Sequence, residues 1–323
     1  MWPITMTLRT APYDSAVHLR APYSENTVFP LSLAASRPDT HIAHLVAAIQ
    51  ELSSNEKLRA LLYEHGAVYF QNLDEFSQFA HAFGWTAHED IGNPVRRTIR
   101  AKNVATANEG PNTQPVDPHN EFGLSPHYPA YQGWNLYRVA LHKFLRLGSK
   151  GVKYQRFYPN GPRDQTSSEG TTVLQAYGRK VLDSDDAETA RTKIENEVKR
   201  LSTAQWVCEN QFDSNPMGDL RVWQHLPAVR DHPRTGQTAF FNNVVSRFLN
   251  ALNADTLQPP HINKEGRYQP PAFYGNSSAI RREFLDSAVE IIKETRALVS
   301  WEEGNVLLSD NHAVQHAREP WTG

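Results

Sequence analysis

Between about residues 95 and 260, short runs of strand-forming residues are broken repeatedly by Pro, Gly and Asn. The runs fall at 97–99, 152–157, 206–212, 220–223 and 238–241. Runs this short, punctuated by turn residues, favour an antiparallel β-core over alternating βαβ units. Helical periodicity lies mainly at the two ends of the chain. From His41 to His65 the apolar residues Ile42, Leu45, Val46, Ile49, Leu52, Leu58, Leu61 and Leu62 recur at helical spacing. Ser53-Ser54-Asn55 supplies a break and an N-cap for a second helix from Glu56, and Gly66 a C-terminal cap. Ala67-Val68-Tyr69-Phe70 then reads as a buried strand, and Asp74 caps a helix with Phe76, Phe79, Ala80 and Phe83 on one face. Further helices are expected over 186–201 and 279–295, and a strand at Val306-Leu307-Leu308. Residues 1–38 carry no clear periodicity beyond a short strand in TVFPLSL. The expected organisation is an irregular segment over 1–38 and one domain over 39–323.

Composition narrows the function classes. A hydrophobic content of 39%, charged content of 21% and mean hydropathy of -0.58 describe an ordinary water-facing globular chain. A net charge of -2 gives no electrostatic footprint for nucleic acid or an anionic membrane. The N-terminus lacks the basic stretch and the apolar run of roughly 7–15 residues that a signal peptide needs. No stretch approaches the roughly 20 apolar residues of a spanning helix. A cytoplasmic protein acting on a small molecule, with neither nucleic acid nor membrane as partner, is the expectation; the oligomeric state stays open. One cysteine, Cys208, excludes an internal disulfide and a cysteine-rich zinc site. It reads as a small buried residue.

The 14 histidines leave room for a metal site of imidazole and carboxylate. In Asp117-Pro118-His119-Asn120-Glu121, side chains alternate faces if the segment is extended. His119 and Glu121 then point one way and Asn120 the other. Near the far end, His316 follows a buried strand. Two imidazoles and one carboxylate on one face of an ion leave positions for small molecules, the facial arrangement of non-haem Fe(II) oxygenases. The residues alone leave a structural role for the His-x-Glu pair equally open. His312, four residues before His316, reads as exposed or as a hydrogen-bonding neighbour. His225 and His232, beside Pro227 and Pro233, read as loop residues with structural roles, and Arg96-Arg97 and Arg281-Arg282 as solvated charge.

Several motifs, in order, resemble the taurine dioxygenase/clavaminate synthase-like (TauD/TfdA) family. They are Gly66-Ala67-Val68-Tyr69-Phe70, Phe79-Ala80-His81-Ala82-Phe83-Gly84, and Ala107-Asn108-Glu109 ahead of His119-Asn120-Glu121. His232-Pro233-Arg234-Thr235-Gly236-Gln237 follows, with Phe240-Phe241-Asn242. The last are Trp301-Glu302-Glu303-Gly304-Asn305, Asp310-Asn311 and His316-Ala317-Arg318-Glu319-Pro320-Trp321. The resemblance implies a mainly β fold with flanking helices, a double-stranded β-helix or jelly roll. It implies Fe(II) held by His119, Glu121 and His316, with 2-oxoglutarate and O2 as cosubstrates and a small molecule such as an amino acid or specialised metabolite oxidised. Asn108 would face substrate, and Arg318 is the candidate for 2-oxoglutarate.

Two departures accompany the resemblance. The family's Gly-Gly-Glu-Thr element has no counterpart between Gln132 and Asn135, where the chain runs into what resembles the family's next helix. The family's 2-oxoglutarate arginine lies well beyond the distal histidine, past Gly323. A version of the fold with internal and C-terminal losses is therefore expected. The alternative function is a catalytically impaired homologue acting as a non-enzymatic binding protein.

Overall fold

The computed structural model describes residues 4–19, 23–72, 76–92, 98–102, 104–106, 112–132, 151–164, 171–212 and 214–321. Asn108, Asp74, Arg96 and Arg97 lie outside these residues, as does the stretch following Gln132 up to residue 150.

Two larger sheets organise the chain. The first has five strands in the order Leu8–Thr10, Leu31–Ala35, Ala67–Phe70, Val306–Asp310 and Tyr131–Gln132. Leu31–Ala35 runs parallel to Ala67–Phe70, and the remaining pairs are antiparallel. Ala67–Phe70 is buried along its whole length because both faces are covered. Val68 and Phe70 join Leu45, Ile49, Leu52, Leu58 and Leu62 of the helices Ile42–Ser54 and Lys57–His65. Ala67 and Tyr69 face a second cluster with Phe29, Leu307 and Val314. The same alternation sends Val306 and Leu308 to the first cluster and Leu307 to the second, as the register Leu307↔Tyr69 requires. Fully burying each such side chain stabilises the fold by roughly 1.5–3 kcal/mol, so a one-residue slip of this strand is strongly excluded.

Of the two early helices, the second starts at Lys57, after Glu56 at φ +62° without a side-chain cap, and Asn55 acts from one residue earlier than a cap. Asn55 Oδ1 accepts from the Lys57 N–H at 3.1 Å. Gly66 adopts φ +75° and its N–H closes on the Leu62 carbonyl at 2.7 Å. A left-handed residue is needed there, and glycine adopts it without steric cost.

The second sheet runs Ala204–Glu209, Asp219–Leu226, Val152–Tyr158 and Phe273–Tyr274. Asp219–Leu226 alternates half-buried and buried residues over its whole length, so one face packs and the other is wetted. Leu220 and Val222 meet Tyr158 and the helix Ala187–Val198, whereas Leu226 meets Val152, Tyr154 and Phe248. Asp186 caps that helix, its carboxylate accepting from the Thr189 N–H at 2.7 Å. Cys208 sits half-buried on the outer strand.

Four outcomes differ from expectation. Residues 8–10, in the segment expected to be irregular apart from TVFPLSL, supply an edge strand of the first sheet, while the strand expected in TVFPLSL appears as Leu31–Ala35. His225 belongs to the strand Asp219–Leu226 rather than a loop; Pro227 stops the ladder only after it. The late helix spans Arg282–Thr295, three residues shorter than expected at its start. A further helix, Val244–Asn253, buries Val244, Val245, Phe248 and Ala251. Its opening Val-Val pair reads as strand in isolation, and tertiary packing overrides that preference. Among the described residues no helix is long and apolar enough to cross a membrane.

Candidate metal centre

The strand Val116–His119 pairs antiparallel with His316–Arg318, and His316 stands directly opposite His119. That pairing joins two segments nearly two hundred residues apart. The imidazole centroids lie 4.1 Å apart. Glu121 joins them: its Oε2 is 3.4 Å from His316 Nε2. One ligand atom from each of His119, Glu121 and His316 falls within 4.8 Å of the others. His316 is buried, and His119 and Glu121 are half-buried.

The ladder ends at His119, two residues short of Glu121. The expected extended His-x-Glu strand is thus completed by a side chain. Asn311, fully buried, accepts from the Glu121 N–H through Oδ1 at 2.8 Å. Its Nδ2 donates to the Glu121 carbonyl at 3.0 Å and to the Pro129 carbonyl at 2.8 Å. A primary amide presents a donor and an acceptor side by side, and so stands in for a missing strand.

Asn120 faces the other way, as alternation requires, and is 1% exposed. Its Nδ2 donates to the carbonyls of Asn311 (2.7 Å) and Val314 (3.0 Å). Its Oδ1 accepts from the Asn242 N–H at 3.0 Å and from Gln315 Nε2 at 3.3 Å. Its backbone N–H donates to Asn243 Oδ1 at 3.0 Å, and the Asn243 N–H donates to the Tyr154 hydroxyl at 3.0 Å. The residue between the two ligand positions is therefore pinned by two distant segments, 242–243 and 311–315. Sequence reading quoted Asn242 and Asn311 within motifs but did not find this network, whose partners are far apart in the chain.

His119 Nδ1 lies 2.6 Å from the Asp117 carbonyl oxygen. A carbonyl only accepts, so Nδ1 carries the hydrogen and Nε2 keeps its lone pair. Orienting a ligand imidazole through its other nitrogen is the usual second support of a metal site. The Asp117 carboxyl itself is pushed up to about 6 by burial. Donors sharing one ion at about 2.1 Å stand roughly 3 Å apart, so the 3.4 Å His316–Glu121 approach suits a shared cation. Two neutral nitrogen donors and one carboxylate match the donor set for Fe(II).

The remaining expected residues are placed as follows. Arg318 lies on the same short strand as His316, and its Nη2 donates to the Gln114 carbonyl at 3.1 Å. His312 is buried rather than exposed and stands outside the three-donor cluster. Its ring packs against Tyr128 at 5.2 Å and Phe241 at 5.3 Å. His232 is buried, and its Nε2 donates to Asp310 Oδ2 at 2.8 Å. Arg281 and Arg282 form surface ion pairs with Glu283 and Asp286. His88, which the sequence did not single out, stacks on His127 at 4.5 Å and touches Phe122 at 4.8 Å. Its pKa is lowered, first by burial and then by His127.

Residues 177–323 match the model of the family described as taurine catabolism dioxygenase TauD, TfdA family. The dapdiamide synthesis protein DdaC of Enterobacter agglomerans is 24% identical over 313 residues, covering 86% of this chain and 85% of DdaC. A clavaminate synthase-like protein of Arabidopsis thaliana is 23% identical over 286 residues, covering 82% of this chain and 80% of that protein. The crystal structure of PvcB from Pseudomonas aeruginosa aligns over 100% of this chain and 89% of that one, with TM-score 0.40 and 15% identity. The chain resembles the TauD/TfdA family, and is of the class of non-haem iron dioxygenases that use Fe(II), 2-oxoglutarate and O2.

Proposed function

We propose that His119, Glu121 and His316 hold one Fe(II), and that the chain oxidises a small molecule such as an amino acid or specialised metabolite. The observation that carries this reading is the gathering of three ligand atoms within 4.8 Å from two distant segments. The two larger sheets are read as those of a double-stranded β-helix. When bound, Fe(II) with 2-oxoglutarate and O2 supplies the oxidising chemistry: 2-oxoglutarate becomes succinate and CO2, one oxygen atom entering each of succinate and the substrate C–H bond.

The chain's own residues prepare the site. The hydrogen on His119 Nδ1 is held by the Asp117 carbonyl, which leaves Nε2 as donor. Glu121 contributes one negative charge toward a dication, and Asn311 fixes its backbone. Asn120 fills the opposite side with satisfied polar contacts, and Gln315 Nε2 donates to the Asn242 carbonyl beside it at 2.9 Å. Ligands on one face of an ion leave the other face for cosubstrate and O2. Arg318 is retained as a candidate contact for cosubstrate, and Asn108 for substrate. A non-enzymatic binding protein would not need a fixed His119 tautomer beside a buried asparagine scaffold, so the enzymatic reading is favoured.

Anaerobic titration with Fe(II) and then 2-oxoglutarate tests the proposal. The visible charge-transfer band of the iron–cosubstrate chelate should develop with native protein, and His316→Ala should lose iron binding. Unchanged iron content in that variant would remove His316 from the site.

A further inference from the structure

Arg230 opens the two-residue strand Arg230–Asp231, which pairs with Thr238–Ala239. Its guanidinium lies against two rings that touch each other, with Cζ 4.7 Å from the Phe241 centroid and 5.0 Å from that of Tyr128, the rings being 4.5 Å apart. Nε and Nη2 are both buried, and among the described residues neither donates to an acceptor. Aromatic faces satisfy the flat sides of a guanidinium but not its N–H edge. Buried donors of a cation without an acceptor are expensive, and call for a specific partner. Nε–H and Nη2–H are neighbours on one edge, and that edge is the fork with which arginine grips both oxygens of a carboxylate.

The nearby protein carboxylate does not fill this role. Asp310 is 1% exposed, and both of its oxygens are engaged. Oδ2 accepts from His232 Nε2 at 2.8 Å, and Oδ1 from the His312 backbone N–H at 3.0 Å. His232 Nδ1 in turn accepts from the backbone N–H groups of Arg234 (3.2 Å) and Thr235 (3.0 Å), so its hydrogen sits on Nε2. The Asp310–His232 pair closes on itself and leaves the Arg230 edge unclaimed.

The position ties this edge to the metal centre. Phe241 precedes Asn242, whose N–H is held by Asn120, the residue between two of the proposed ligands. Tyr128 lies in the loop leaving Glu121, beside Pro129, which Asn311 anchors. His312 packs on the same Tyr128 and Phe241 rings. Its pKa is lowered, first by burial, with the Arg230 charge contributing, so it presents a neutral imidazole there. Arg230 as a whole is only half-buried, so the site is not sealed.

The geometry points to Arg230 as the receptor for a carboxylate of a small molecule bound beside the metal centre, with both oxygens accepting from Nε–H and Nη2–H. The ligand's identity rests on the proposed function; the receptor edge does not. Two sources share this chemistry: the distal carboxylate of 2-oxoglutarate, and the carboxylate of an amino-acid substrate.

The test uses the full chain loaded with Mn(II), with succinate, 2-oxoglutarate and L-alanine as separate probes. Thermal unfolding and calorimetric titration are compared for native protein, Arg230→Met and Arg230→Lys. Methionine keeps the packing on the rings and removes the charge; lysine keeps the charge and removes the fork. Without probe, Arg230→Met should unfold at the native temperature or above it, because an unpartnered buried charge has gone. The thermal shift that a carboxylate gives the native protein should disappear in both variants, with affinity weakened at least about tenfold. Loss of the succinate and 2-oxoglutarate effects assigns the cosubstrate carboxylate. Loss of the L-alanine effect alone assigns the substrate carboxylate. The inference is overturned if no probe binds native protein, or if Arg230→Met binds every probe as native protein does. It is overturned equally if Arg230→Met is less stable yet unchanged in binding, the mark of a purely structural arginine. Mn(II) stoichiometry, measured in parallel on His316→Ala, reports separately on the metal reading.

Discussion

Replacing Asn120 with Asp changes one atom and should be among the most damaging conservative substitutions in the chain. The Nδ2 group donates to two carbonyl oxygens, of Asn311 at 2.7 Å and Val314 at 3.0 Å. An aspartate presents an oxygen in that place, so both carbonyls lose their donor and face an acceptor instead. Each buried group left unsatisfied costs about 1–3 kcal/mol, so two give an expected loss of about 4 kcal/mol near neutral pH. Against a typical total stability of about 5–15 kcal/mol that is a large fraction. A carboxyl introduced there is disfavoured in its charged form, so its folded pKa is raised above its unfolded value of about 3.9. The ionisation part of the penalty is therefore absent below the unfolded pKa and grows as pH rises through the folded one. Protonation also restores one donor.

Urea unfolding followed by circular dichroism, at about pH 5 and about pH 7, reads this directly, and the gap to native protein should be wider at the higher pH. Mn(II) titration supplies a second readout. Asn120 fixes the backbone between His119 and Glu121, and loss of such a support weakens metal affinity by about 10–100-fold. If the unfolding midpoint and the Mn(II) affinity both matched the native protein, the buried asparagine scaffold would have no role in holding the centre.

Three further outcomes are expected. Tyr154→Phe leaves the buried Asn243 N–H without its acceptor and should cost about 1–3 kcal/mol in urea unfolding, with faster hydrogen exchange at Asn243; native-like protection would refute it. Gly92→Ala places a Cβ 2.3 Å from Tyr177 Oη at φ +69°, so backbone strain and overlap together should lower stability by about 2–5 kcal/mol. Adding Tyr177→Phe should recover only part of that, because a ring carbon also lies 2.6 Å away. Glu197 is 4% exposed, lying 2.7 Å from Lys180 Nζ and accepting from Arg200 at 2.7 Å. Burial raises its pKa, but the two cations outweigh burial and the net shift is downward. Its contribution to stability is thus present above the unfolded pKa and lost as pH falls through the folded one. The stability gap between native protein and Glu197→Gln should close on acidification, and a pH-independent gap would refute the ion-pair account.

The parts legible in the sequence are those governed by local periodicity. Ala67–Phe70 appears as read, and the helix expected over 186–201 forms as Ala187–Val198 behind its Asp186 cap, because alternation, helical spacing and an Asp cap are properties of neighbouring residues. His119 and Glu121 could be paired on the same logic. What alternation does not reveal is that the ladder stops at His119 and that Asn311 completes it. Asn120 read as a spacer, since its partners Asn242, Asn311, Val314 and Gln315 come from loops whose meeting is purely tertiary. Arg230 was hidden for a similar reason: its character lies in what it does not touch. The strand Leu8–Thr10 is too short to show a period, and it is held by its partner Leu31–Ala35.

Assembly of the centre depends on long-range pairing. His316 reaches His119 only when its strand docks on Val116–His119, and that strand follows Val306–Asp310, which sits between Ala67–Phe70 and Tyr131–Gln132 in the first sheet. The three donors therefore exist as a set only in the folded chain. An ion that binds this set and not the unfolded chain stabilises the fold by RT ln(1 + [M]/Kd), about 2.7 kcal/mol at a hundredfold excess over Kd. Metal binding and docking of the His316 strand are thus one equilibrium read in two ways. A divalent ion should protect the amides of residues 316–318 and of Val116, Asp117 and His119 from exchange together, and His316→Ala should remove that protection from both strands at once.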